Sequence, residues 1–155
     1  MERQAPKTML LFMLMGLIAG MLSPIQTSIN GKLRIAVGSP FLASFISFLV
    51  GTTLLFIICL LIEKRVTFQV RGVGKIPFWV FTGGIMGVVF VTSNILLLPL
   101  LGSAMTVVLA ICGQMLIALV IDHFGFFGVI KHPINRYRII GVIAMIAGIL
   151  LIQNF

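Results

Sequence analysis

The residues in this chain best suited to chemistry are uncharged amides and hydroxyls set among apolar neighbours. Gln26, Thr27, Ser28 and Asn30 follow Pro24 at the far end of the first apolar run. Asn94 precedes a leucine-rich stretch, and Gln114 sits near the middle of a later run. Hydrocarbon offers no water to bond such groups, so they face a helix-bundle interior or a wet cavity. Gln26, Thr27, Asn30, Asn94 and Gln114 are therefore the candidates for lining a solute path. A dry seam in which the same groups bond across helices is the competing reading. Amides need more partners than such a seam offers, which favours the wet reading for Gln26 and Asn30.

Ionisable groups are scarce inside the runs. The three acids are Glu2 in the N-terminal tail, Glu63 at the end of the second run and Asp122 at the end of the fourth. A proton-coupled carrier commonly titrates a carboxylate at membrane depth, and a mid-membrane cation would suit an anionic substrate. Neither is expected here. Asp122 and His123 form a candidate gate or proton relay at a membrane edge, with a hydrogen-bonded interfacial turn as the plainer reading. His132 falls in a loop.

No metal or cofactor is expected. Cys59 and Cys112 stand alone in apolar runs, without a C-x-x-C or a neighbouring His, and read as small buried hydrophobes. Paired carboxylates, H-E-x-x-H, a Ser/His/Asp grouping and a phosphate loop are all missing, so no enzyme is expected. Gly83-Gly84-Ile85-Met86-Gly87 lacks the preceding strand that a nucleotide loop requires.

The elements that must position these groups follow from composition. The 155 residues are 60% hydrophobic and 9% charged, with a mean hydropathy of +1.24. So few charges could not cover a soluble surface, and the class is integral membrane. The net charge of +8 then reflects topology and lipid contact, not nucleic-acid binding, for which no motif is present. Arg3 and Lys7 precede the first run as in a signal peptide, but no A-x-A-like site follows, so the run reads as an uncleaved first span.

Five runs are long enough to cross a bilayer as helices: about 8–30, 40–62, 77–98, 102–121 and 138–153. The expected connections are Gly31–Ser39, Glu63–Ile76, Pro99–Leu101 and Asp122–Tyr137. Pro40 and Pro77 open helices, and Pro99 with Gly102 marks a stop and restart. The expectation is all-α: one five-helix membrane domain over 1–155.

Helical faces sharpen the picture. Gly16, Gly20, Ser23, Thr27 and Asn30 fall within an arc of roughly 80° at 100° per residue. The glycine end reads as a packing seam and the Thr27–Asn30 end as a wet wall. Ser44, Ser47 and Gly51 share a face of the second helix, where packing is the simpler reading. Gly83, Gly87, Phe90 and Asn94 align on the third, and Gly113 lies beside Gln114 on the fourth. The fifth carries Gly141, Ala144 and Gly148 and suits packing or dimerisation.

Orientation follows from the basic residues. Arg3, Lys7, Lys64, Arg65, Arg71, Lys75, Lys131, Arg136 and Arg138 fall on one face; Lys32 and Arg34 fall on the other. This predicts a cytoplasmic N-terminus and an external C-terminus. It also disfavours an antiparallel homodimer, which would need a second chain of opposite bias.

Pro24-Ile25-Gln26 with Asn30, Phe48 with Gly51-Thr52, Gly83-Gly84 with Gly87, Gly113-Gln114 and Ile121-Asp122-His123-Phe124-Gly125 occur in this order along the chain. Together they resemble the drug/metabolite transporter superfamily, and within it the short five-helix YdcZ-type bacterial membrane proteins. The likeness extends from about Gly16 to Gly148. It implies a multi-pass protein of the bacterial inner membrane that forms half of a ten-helix, inverted-repeat-like carrier. Four-helix multidrug relatives use a glutamate in their first helix, and this chain has none there.

The expected function is alternating-access transport of a neutral or zwitterionic amphipathic solute. The expected partners are the lipid bilayer and a related five-helix chain, as a homo- or heterodimer. The alternative is a non-transporting membrane subunit that stabilises or regulates another protein. A channel would need a charged or carbonyl-rich filter, which the sequence does not offer.

Overall fold

The computed structural model describes residues 6–63 and 77–154. These form helices α1 (Pro6–Val37), α2 (Pro40–Glu63), α3 (Gly83–Phe124) and α4 (Arg136–Asn154). Short 3-10 segments at Phe78–Thr82 and Phe126–Gly128 complete the described residues, which contain no strand. The basic quartet Lys64, Arg65, Arg71 and Lys75 lies outside the described residues, as do Glu2 and Arg3.

α1 runs seven residues past the expected end at Asn30. Lys32 to Val37 contains no helix breaker, and Gly31 does not act as one. The stop is Gly38, whose φ of 73° is the left-handed conformation that ends a helix. Its N–H donates to the Arg34 carbonyl at 2.9 Å. Ser39 then caps α2, its Oγ accepting the Leu42 N–H at 3.3 Å, and Pro40 takes the first helical position. The expected loop is therefore two residues long.

Helix α3 is interrupted. Gly102 has φ 75° and ψ 172°, a conformation open to glycine alone. The break falls just after the expected Pro99–Leu101 turn. Beyond it, the Thr106 hydroxyl donates to the Gly102 carbonyl at 2.7 Å, and Thr106 is fully buried. With its 3-10 lead-in, Phe78–Phe124 spans 47 residues. At 1.5 Å per residue that is about 70 Å, more than twice a ~30 Å hydrocarbon core. α4 begins at Arg136 because Asn135 caps it, its Oδ1 accepting the Arg138 N–H at 2.9 Å.

Four described helical segments are long and apolar enough to cross a membrane. Packing groups the chain into two compact units: Met1–Pro24 with Leu100–Phe155, and Ile25–Pro99. Both divisions fall at prolines inside long helices.

Candidate functional site

The Ile25–Pro99 unit is built inside out. Its buried side chains are mostly polar: Thr27 and Asn30 from α1, Ser44 from α2, Thr92 and Asn94 from α3, with Ala43 and Ile95 as the apolar members. Large apolar side chains such as Ile29, Phe45, Leu54 and Val89 face outward. This is the arrangement expected where lipid is the outer solvent and polar groups gather inside.

Two contacts fix α2 against α3. Ser44 Oγ and Thr92 Oγ1 are 2.9 Å apart, and the Ser44 hydroxyl also lies 3.0 Å from the Pro40 carbonyl. A Cβ at Gly87 would lie 3.4 Å from the Phe48 ring, so the glycine lets that ring lie against α3. Moving forward along α2 from Ser44 to Phe48 moves back along α3 from Thr92 to Gly87; the two helices run antiparallel.

Asn30 is 3% exposed, and its Nδ2 has no hydrogen-bond partner. Leaving a buried amide donor unpaired costs about 1–3 kcal/mol. Among the described residues it is the one buried side-chain nitrogen or oxygen so placed.

Two of the cavities in this unit have polar walls. One of about 250 Å³ is lined by Gln26 from α1 and by Ser47, Phe48, Gly51 and Thr52 from α2. Gln26 is more than twenty positions before the other motif residues Phe48, Gly51 and Thr52, and here they meet. The second cavity, about 540 Å³, lies between the last turns of α1 and the Ile95–Pro99 stretch of α3. Its polar lining comes from Ser28, Lys32 and Arg34.

Arg34 was readable from the sequence only as a topology charge. Its Nη1 donates to the Ile95 carbonyl at 3.2 Å. In an unbroken helix that carbonyl would accept from residue 99, but Pro99 has no N–H and leaves it orphaned. Arg34 supplies the missing donor. Beside it, the Leu98 side chain occupies the space a Cβ would fill at Gly31. The signal was present in the sequence as Pro99 itself, which promised an open carbonyl four residues earlier.

The other unit holds the remaining predicted residues. Gln114 is exposed on α3. Asp122 forms an ion pair with Arg138, Nη1 to Oδ2 at 3.0 Å, with both side chains about 30% exposed. Its backbone carbonyl accepts the His132 N–H at 2.9 Å. His123 Nδ1 accepts from the Ile134 N–H at 3.4 Å. Gly125, at φ 70°, ends α3, and Lys131 packs where its Cβ would lie. Asp122 and His123 thus tie the 122–138 connection together. Among the described residues, no group of His, Cys, Asp or Glu could hold a metal ion.

The family model described as "Putative inner membrane exporter, YdcZ" matches residues 11–151. The chain belongs to the YdcZ family. No curated protein and no solved structure matches it. Membership places this YdcZ-family chain in the inner membrane as a multi-pass protein of transport. The resemblance read from the sequence is correct. Of the predicted path residues, Thr27, Asn30 and Asn94 are each buried within the Ile25–Pro99 unit, and Gln26 is exposed on a cavity wall there. Gln114 belongs to the other unit.

Proposed function

We propose that this YdcZ-family chain carries a neutral or zwitterionic amphipathic solute outward across the inner membrane by alternating access. The observation that carries this reading is the unpaired amide of Asn30 inside a polar interior wrapped in apolar side chains. A donor kept without a protein partner at membrane depth is suited to a group that comes and goes. Gln26, Ser47 and Thr52 would contact the solute in the cavity that they line.

The break at Gly102 supports five spans, because Phe78–Phe124 is long enough for two crossings. Five spans put the termini on opposite sides, the N-terminus cytoplasmic and the C-terminus external. An odd-spanned half would then pair with a related chain to complete a ten-helix carrier.

The test is efflux from proteoliposomes loaded with a panel of zwitterionic amphiphiles, chosen by thermal shift of the purified protein. Asn30→Leu and Gln26→Ala should each reduce flux at least ten-fold. Full flux in both variants would remove this path. Stable capture of a membrane partner with no solute flux would instead favour the non-transporting subunit.

A further inference from the structure

We propose that the 540 Å³ cavity at the C-terminal end of α1 is a binding site for an amphiphile with a single anionic headgroup, held by Lys32 and Arg34. The volume lies within the range of small-molecule pockets, and the walls divide into an apolar part and a cationic edge. Ile35, Leu98 and Pro99 supply the apolar part; Lys32 and Arg34 supply the charge.

Neither cation has an acidic partner among the described residues, where the one ion pair is Asp122 with Arg138. The Lys32 side chain makes no hydrogen bond among the described residues and is exposed at the cavity edge. Arg34 uses Nη1 on the Ile95 carbonyl, which leaves most of its five N–H donors unused. A guanidinium already fixed at one nitrogen is pre-organised to present the rest to a carboxylate or phosphate. Ser28 adds a hydroxyl to the same wall.

The charge count points the same way. On the five-span topology proposed above, Lys32 and Arg34 are the basic residues on the face that the other nine avoid. Cations retained there against the topological bias serve something other than orientation, and both line one cavity.

Two sources share this chemistry: the headgroup of an anionic phospholipid and a free single-chain amphiphile. The experiment uses the full-length protein in a neutral maltoside detergent, with titration of dodecyl phosphate, dodecyltrimethylammonium and inorganic phosphate by calorimetry. Dodecyl phosphate should bind, weaken with salt, and outcompete both other probes by at least ten-fold. Lys32→Gln should weaken it about five-fold without changing the melting temperature. Arg34→Lys, which keeps the charge but loses the planar fork, should weaken it further.

Native mass spectrometry after reconstitution in phosphatidylglycerol bilayers separates the sources. Phosphatidylglycerol retained by the wild type, lost in Lys32→Gln and displaced by dodecyl phosphate supports the site with lipid as its occupant. Dodecyl phosphate bound with no lipid retained supports it with a free solute. Equal binding of the cationic amphiphile, equal binding of inorganic phosphate, or unchanged affinity in both variants would overturn it. Binding is read directly, so the result stands whatever the chain transports.

Discussion

Asn30 shows how much one side chain can reveal in an apolar chain. Its amide is buried and its Nδ2 unpaired, so replacing it with leucine removes the cost of an unmet donor. Asn30→Leu is expected to raise stability by about 1 kcal/mol in a thermal melt while lowering transport. A fall of several kcal/mol would mean the amide is bonded after all. Arg34 allows a stricter test. Arg34→Leu should cost about 1–3 kcal/mol by orphaning the Ile95 carbonyl. Pro99→Ala restores a backbone N–H to the same carbonyl, so the double variant should lose less than the sum, with a coupling of about 1 kcal/mol in a double-mutant cycle. Additive losses would separate the two residues. The burial of Thr27, Asn30 and Asn94 was legible in the sequence as polar residues in apolar runs, but the same pattern did not separate them from Gln26 and Gln114, which are exposed. Arg34 was not, since its partner lies 61 positions away and its role depends on a hydrogen that Pro99 lacks.

Helices were legible as long apolar runs, and their ends less so. α1 reaches Val37, because a Lys and an Arg near a helix end mimic a loop in composition yet propagate a helix well. Asn135 as a cap fixes the start of α4 two residues before the apolar pattern alone suggests. The break in α3 was anticipated from Pro99 and Gly102, but its centre is the glycine. Gly102→Ala should therefore destabilise the protein by about 1–3 kcal/mol, since no other residue adopts φ 75°, ψ 172° without strain. Gly16→Ala is the control: a Cβ there meets nothing within 4 Å, so a monomer should gain up to ~1 kcal/mol in helix stability. If Gly16 and Gly20 instead form a seam with a second copy, the larger Gly16→Leu should shift the protein toward monomer in light scattering.

For the molecule as a whole, membrane class and family were legible from composition and from scattered motif residues. What brings Gln26 to Phe48 and Thr52 is the pairing of helices, which no run of sequence states. Topology is open to direct measurement. A C-terminal alkaline phosphatase fusion should be active and a C-terminal green fluorescent protein fusion dark. Equal signals from both would mean dual insertion, and a reversed pattern would mean an even number of crossings or an external N-terminus.

The turn between α1 and α2 has little torsional slack. Gly38 is fixed by its bond to the Arg34 carbonyl, Ser39 by its bond to Leu42, and Pro40 by its own ring. In the proposed alternating-access cycle, the end of α1 and the start of α2 would move as one lever. Splicing a flexible triglycine between Gly38 and Ser39 should leave both helices folded yet stall turnover, because the lever would no longer transmit its stroke.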